Sequence, residues 1–404
     1  MSAAMETQRP ALEVADILRE HGGQYRATHP LSPEQAKVMT NLVHCRTAAL
    51  GGHVDTCPDC GHAVNSYNSC RDRHCPKCQS LKKAEWLEQR LARLLPVGSF
   101  HVVFTIPDGL NPLTLRNKES VYNILLRAAA ETLAEIAANP KYLGARIGFT
   151  AVLHTWGQNL LFHPHLHCVV SAGGLTADGR WVNCKIHRRK KFFAPVKVLG
   201  KLFRGKFLAY LRQAYDAGEL DCTGSTAELA DAGKWRMFIG DLYQLDWVVY
   251  AKPPFGGAEQ VFRYLGRYTH RVAISNQRLI NMEQGRVSFF YKDYADGGKK
   301  KIMTLAADEF IRRFLLHVLP KGFVRIRHFG LYASVNVHTR LEQARRLLEP
   351  EKAVVEPAPT ADKTWVERLF ELTGVDVTVC PKCGGRMERR VLEPERALLP
   401  RPAA

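Results

Sequence analysis

The sequence predicts an α+β protein whose central sheet is mostly antiparallel, preceded by a small helical segment rich in cysteine. Three observations carry that expectation. From residue 100 onward, short β-branched and aromatic runs alternate with amphipathic helical patterns. Two of those runs, IGFTAVLHTW and HLHCVVSAG, are separated only by GQNLLFHP, a connection short enough to make them antiparallel neighbours. Residues 51–80 concentrate cysteine, glycine and cations, unlike the helices before them or the strands after them.

ALEVADILREH and SPEQAKVMTNLVHCR read as helices divided at His29-Pro30, with Ser32 as N-cap before Pro33. After the cysteine-rich segment, LKKAEWLEQRLARLL is amphipathic and ends near Pro96. FHVVFTI (100–106), bounded by Pro107 and Gly109, reads as a buried strand, and SVYNILLRAAAETLAEIAA (120–138) as a helix. APVKVLGKLFRGKFLAYLRQAY is a basic helix with Pro195 near its start, DWVVYAK (246–252) a strand, and GAEQVFRYLGRY the start of another helix. RVSFFYKDY and FVRIRHFG continue as strands toward residue 335. Past residue 348, EPEKAVVEPAPTADKT is a Pro-rich linker, followed by a short helix, TWVERLFELTG, and CPKCGG. The expected division is a helical, cysteine-bearing domain over 1–96, the α+β domain over 97–345, and a linker and tail over 346–404.

A chain of 404 residues can bury a substantial core without disulfide staples. Its net charge of +18 points to a polyanionic partner, nucleic acid first and an acidic membrane surface second. The first twenty residues lack the basic and apolar regions of a secretory signal, and no run approaches the roughly 18 apolar residues of a membrane span. The expected location is therefore the cytoplasm, with no membrane partner. In that reducing compartment the eleven cysteines point to metal rather than to disulfides.

Cys57-x-x-Cys60 and Cys75-x-x-Cys78, with fourteen residues between them, have nearly the spacing of a zinc ribbon. These four thiolates are the expected ligands of a structural Zn²⁺, with Cys70, His74, His62 and His53 as spare donors. Cys380-x-x-Cys383 is half a site and is left unassigned; Cys45, Cys168, Cys184 and Cys222 read as core or incidental thiols.

In His163-Pro164-His165-Leu166-His167 the i, i+2 spacing places His165 and His167 on one face of a strand, half of a divalent-metal site. A third ligand is expected from Gln158 or His163, with His154 and His101 also nearby; Mg²⁺ would favour the oxygen of Gln158. In FRYLGRYTHR, Tyr264 and Tyr268 lie four apart, one helical turn, and each is followed three residues later by an arginine, Arg267 and Arg271. A phenol that attacks a phosphodiester needs proximity to phosphorus and positive charge for the phenolate and the transition state, and this stripe supplies both.

Together these motifs resemble the HUH endonuclease superfamily, with Phe104-Thr105-Ile106 similar to its first strand motif, His165-Leu166-His167 to the second and Tyr264/Tyr268 to the third. Within it the chain resembles the two-tyrosine rolling-circle insertion-sequence transposases of the IS91 type, most densely in HTWGQNLLFHPHLHCVVSAGG, YLGRYTHRVAISNQRL, IRHFGLYA and YNSCRDRHCPKCQ. The resemblance extends over nearly the whole chain. It implies a Rep-like five-stranded antiparallel sheet holding the histidine pair, Mg²⁺ or Mn²⁺ as Lewis acid, and a 5′-phosphotyrosine with a free 3′-OH. It also implies a zinc-binding domain at the N-terminal cysteines. Such transesterification needs no ATP, and no P-loop motif occurs.

The expected partner is single-stranded DNA at element ends and target sites. Candidate phosphate contacts are Arg71, Arg73 and Lys77 beside the cysteines, the run Arg188, Arg189, Lys190 and Lys191, and Arg325 with Arg327. A rolling-circle replication initiator with the same chemistry and a non-catalytic zinc-ribbon DNA-binding protein are the alternative functions; oligomeric state is not legible.

Overall fold

The computed structural model describes residues 10–184, 186–187, 190–191, 193–252, 266, 273–350 and 363–395. In chain order it forms α1 (Val14–Thr28), α2 (Pro33–His44), β1 (Gly52–Thr56), β2 (Ala63–Tyr67), α3 (Ser80–Ala92), β3 (Ser99–Thr105), α4 (Asn111–Arg116) and α5 (Lys118–Ala138). Next come β4 (Gly148–Trp156), β5 (Phe162–Ser171), β6 (Gly173–Leu175), β7 (Trp181–Asn183), β8 (Ile186–His187), β9 (Lys190–Lys191), α6 (Val196–Asp216), α7 (Ala232–Gln244) and β10 (Val249–Lys252). The remainder is β11 (Leu279–Glu283), β12 (Arg286–Asp293), β13 (Lys299–Ala306), α8 (Ala307–Leu316), β14 (Ile326–Gly330), α9 (Arg340–Leu348), α10 (Trp365–Thr373) and β15 (Glu388–Leu392).

These elements gather into two compact units, one of Trp86–Thr269 with Leu319–Val355 and the other of Met1–Glu85, His270–Val318 and Glu356–Ala404. The first is built on a five-stranded sheet of order β10-β3-β5-β4-β14, antiparallel at every pairing. Its strands alternate in the manner that gives a sheet two different faces. On one face Phe104, Leu153, Leu166, Cys168 and Val170 are buried, and the Phe104 ring meets Phe203 of α6 at 4.9 Å. Helices α5 and α6 pack on each other, and both are apolar enough to cover that face. On the other face Val152 and Val169 are covered by Trp86, Leu87, Leu91 and Leu94, together with Ile326. The same face carries the histidines.

The second unit holds α1, α2, the sheet β15-β1-β2 and the sheet β11-β12-β13 followed by α8. Here the chain departs from the expected sequential division. Residues 273–318 pack with the N-terminal helices: Asn276 Oδ1 accepts from Val14 N at 3.2 Å, and Gln35 Nε2 donates to the Leu315 carbonyl at 3.1 Å. ADEFIRRFLL, within the run read as strands, is helix α8, buried through Phe310, Ile311, Phe314 and Leu315. Ser32 caps α2 as expected, accepting from Gln35 N. Among the described residues no helix is long and apolar enough to cross a membrane.

The face assignment makes a direct prediction. Leu166 is fully buried, so Leu166→Ala lowers stability by about 2–5 kcal/mol. His165→Ala, on the opposite face of the same strand, costs far less. Urea unfolding of the two variants, followed by tryptophan fluorescence, checks the contrast.

Candidate metal centre and cysteine clusters

Strand β5 reads FHPHLHCVVS, so His163, His165 and His167 share one face while Pro164, Leu166 and Cys168 turn to the other. The antiparallel register with β4 sets His154 directly opposite His165. The register with β3 sets Val103 opposite His167, which brings His101, two residues along, diagonal to it. One ring nitrogen from each of His154, His165 and His167 lies within 4.8 Å of the others. The His154 and His167 ring centroids are 4.4 Å apart, and Trp156 stacks on His154 at 4.8 Å.

Hydrogen bonds decide which nitrogens are available. His165 Nδ1 lies 2.7 Å from the His163 carbonyl oxygen, which can only accept, so the proton is on Nδ1 and Nε2 keeps its lone pair. That lone pair faces His167 Nε2 at 3.1 Å. His167 Nδ1 in turn lies 2.8 Å from His101 Nε2. A cation at this point takes both Nε2 lone pairs if His167 carries its proton on Nδ1 and donates it to His101, the arrangement typical of an outer partner that fixes a ligand's tautomer. Burial pushes His165 and His101 down to about 4 and lowers His154 and His167 well below the ordinary imidazole range. Neighbouring imidazoles add to the shift, and at His154 so does the charge of Arg325. At neutral pH the rings are uncharged donors, and their chemistry fits a divalent cation.

His154 therefore stands in the place foreseen for Gln158 or His163. Gln158 sits in the turn after β4, while the His163 ring lies beside Asp108, with Nδ1 3.5 Å from Oδ1. His163 contributes its backbone carbonyl to His165. What separates the two is direction rather than distance: the His163 ring is 5.2 Å from that of His165 but sits beside Asp108, whereas His154, opposite His165 in the register, brings a nitrogen to within 4.8 Å of those of both His165 and His167.

The four cysteines foreseen as one zinc set are divided between two clusters: Cys45, Cys70, Cys75 and Cys78 form one, and Cys57, Cys60, Cys380 and Cys383 the other. Hairpin β1-β2 separates them. Cys45 and Cys70 lie near its base, where Cys70 N donates to Cys45 Sγ at 3.5 Å. Cys57 and Cys60 form its tip, a strand of five residues and about 17 Å away at the usual rise. In the first cluster Cys45 and Cys75 sulfurs are 3.5 Å apart and those of Cys70 and Cys78 3.8 Å. Mutual contact pulls Cys45 and Cys78 toward thiolate and pushes Cys70 and Cys75 away from it. Four thiols at such range can all ionise only around a cation, which suits Zn²⁺. Asp72 braces the loop, accepting from Asn41 Nδ2 at 2.8 Å and from the backbone N of His74 at 2.8 Å.

Residues 17–106 match a family model described as "Transposase zinc-binding domain", and residues 148–339 one described as "Putative transposase". The chain is 53% identical over 380 residues to "Putative transposase y4qJ" of Sinorhizobium fredii, covering 93% of this chain and 94% of that protein. It is 28% identical over 356 residues to "Transposase for insertion sequence element IS801" of Pseudomonas savastanoi pv. phaseolicola, covering 87% of this chain and 82% of that one. The chain belongs to the IS91 family of transposases. A copper-bound structure of the conjugative relaxase TrwC in complex with oriT DNA aligns at 13% identity over 43% of this chain and 69% of that chain, with a TM-score of 0.24.

For this IS91-family transposase, Tyr264, Tyr268, Arg267 and Arg271 lie outside the described residues, as do Arg188, Arg189 and the side chains of Lys190 and Lys191. Of the other basic candidates, Arg71 is exposed and Arg73 half-buried beside the first cluster. Lys77 is taken by an ion pair with Glu13 whose side chains are only 8% and 11% exposed, so it is not a free phosphate contact. Arg327 turns to the helix side of the sheet, donating to Asn123 Oδ1 at 2.5 Å. It lines an open cleft of about 1410 Å³ that contains none of the four imidazoles. Arg325 is buried. The signal that could have ranked His154 above Gln158 and His163, and found Cys45, is long-range pairing, which local pattern does not carry; for Cys380 and Cys383 it is the shared Cys-Pro-x-Cys-Gly of Cys57–Gly61 and Cys380–Gly384.

Calorimetric Mn²⁺ titration grades these roles. His101→Ala, an outer partner, weakens binding by about 10–100-fold. His154→Ala, His165→Ala and His167→Ala weaken it by more, and Gln158→Ala and His163→Ala leave it near the wild-type value. Because the folded pKa is depressed, protons compete late: affinity stays level as pH falls through 6.5 and drops only toward about 4.

Proposed function

We propose that this transposase cuts and rejoins single-stranded DNA at insertion-sequence ends by metal-assisted transesterification through a 5′-phosphotyrosine, the rolling-circle chemistry of the HUH type. The observation that carries the reading is the trio of neutral imidazoles, His154, His165 and His167, on one face of an antiparallel sheet in a chain of this family. When bound there, a divalent cation supplies Lewis-acid polarisation of the scissile phosphate. An all-nitrogen set favours Mn²⁺ over Mg²⁺, which prefers oxygen ligands.

In this reading the phenolate oxygen of Tyr264 or Tyr268 attacks phosphorus and the bond to the 3′ oxygen breaks. The 3′ oxygen departs as the hydroxyl after taking a proton, and the 5′ phosphate stays on the tyrosine. Arg267 and Arg271, each three residues after one of the tyrosines in sequence, stabilise the phenolate and the charge on the phosphate in flight. Burial keeps His154 neutral, and the nearby His165 and Arg325 add to the effect. The second tyrosine accepts a second strand while the first is loaded. Cys45, Cys70, Cys75 and Cys78 hold a structural Zn²⁺, and Arg71 and Arg73 on that loop contact phosphate.

The test is incubation of full-length protein with single-stranded element-end DNA and Mn²⁺, resolved on a denaturing gel. A covalent adduct is expected in the wild type and in each single Tyr→Phe variant, and none in Tyr264→Phe/Tyr268→Phe or in His165→Ala. An adduct that persists in the double variant removes these tyrosines as nucleophiles.

A further inference from the structure

Cys380 and Cys383 lie far beyond residue 106, where the match to the zinc-binding domain ends, yet they stand against the tip of hairpin β1-β2. We infer that they complete, with Cys57 and Cys60, a second tetrathiolate zinc site that clips the C-terminal tail onto the N-terminal hairpin.

The sulfurs stand at the spacing of a tetrahedral metal site. Cys57 Sγ lies 3.4 Å from Cys383 Sγ and Cys60 Sγ 3.7 Å from Cys380 Sγ, across sequence separations of 326 and 320 residues. Four sulfurs around Zn²⁺ at about 2.3 Å in a tetrahedron are about 3.8 Å apart. A disulfide would bring a pair to about 2.0 Å, and all four thiols are free.

The two halves are also built alike. In one, Cys57 N donates to the His62 carbonyl at 2.8 Å and Gly61 N to the Cys57 carbonyl at 2.9 Å; in the other, Cys380 N donates to the Gly385 carbonyl at 2.8 Å and Gly384 N to the Cys380 carbonyl at 2.9 Å. Gly61 and Gly384 both have φ in the left-handed region, 71° and 77°. Each half is therefore the same tight turn presenting two thiols, and the pair is related as the two knuckles of a zinc ribbon. The Cys75–Cys78 pair is followed by Gln79 and lacks that glycine.

The surrounding chain fits as well. β15 pairs with β1 along its whole length, from Gly52 opposite Leu392 to Thr56 opposite Glu388, which delivers the second knuckle to the first. Arg389 and Asp55, directly opposed, form a two-pronged ion pair at 2.7 and 2.9 Å, and the Arg389 guanidinium lies over Trp365 at 4.8 Å. A Cβ on Gly385 would meet Cys57 Sγ at 3.3 Å and collide with the Asp59 carboxylate. β2 and β15 bury almost nothing, so apolar packing does not hold this sheet together and a metal crosslink can.

The experiment is elemental zinc analysis of full-length protein from zinc-replete expression, with Cys57→Ser/Cys60→Ser, Cys380→Ser/Cys383→Ser and the variant combining both pairs. Each pair variant is expected to hold one zinc per chain fewer than wild type, and the combined variant no fewer than either. Wild-type zinc content in Cys380→Ser/Cys383→Ser overturns the inference, as does a further loss in the combined variant. Because the serine variants could misfold, Co²⁺ substitution of the wild type gives an independent reading. A thiolate-to-cobalt band of eight-thiolate intensity is expected, and a band of four-thiolate intensity, or a Cys57–Cys383 disulfide in peptide maps of unreduced protein, contradicts it. None of these readouts involves DNA, so the result is separable from the transposition chemistry.

Discussion

The pairing of β4 with β5 is the constraint on which the candidate metal centre depends. Because side chains alternate, a slip of one residue in that register would send the imidazoles of His165 and His167 into the helix-covered core and bring Leu166 and Cys168 out. The apolar face forbids the slip. Phe104, Leu153, Leu166 and Val170 are buried against α5 and α6, and their burial fixes where His154 stands relative to His165. Metal-binding geometry on one face is thus held by hydrophobic packing on the other.

The other unit works by a different physics. Its hairpin sheet β15-β1-β2 is polar and exposed, and its order rests on pairing, on the Asp55–Arg389 contact and on thiols brought together from distant parts of the chain. Small polar modules of this kind usually lean on metal for their folding free energy. Under the proposals made above, the sheet presents the imidazoles to a metal, and a basic module crosslinked by zinc holds phosphate.

The parts of the fold legible in the sequence were those with strong local periodicity. FHVVFTI, IGFTAVLHTW and HLHCVVSAG are strands, the basic run after Pro195 is a helix, and His165 and His167 share a face because a strand repeats every two residues. What local pattern could not carry is pairing between distant segments. His154, one of several nearby candidates in the sequence, rises above Gln158 and His163 through cross-strand register, and Cys45 joins its cluster through a loop that returns to the end of α2. Cys380 and Cys383 found their partners through a strand more than three hundred residues along the chain. The expected zinc set is divided between two clusters for the same reason, since spacing alone treats a hairpin as if it were loose loop. Lys77 and Arg327, both plausible phosphate contacts by charge, are committed to Glu13 and Asn123.

The central claim is that His154, His165 and His167 form one metal centre. A crystal structure of the full chain grown with Mn²⁺, with anomalous scattering recorded for the metal, tests it most directly. The account predicts an anomalous peak bonded to one nitrogen of each of those three rings. A peak bonded to His165 and His167 but completed by Gln158 or His163, with His154 turned away, would contradict it.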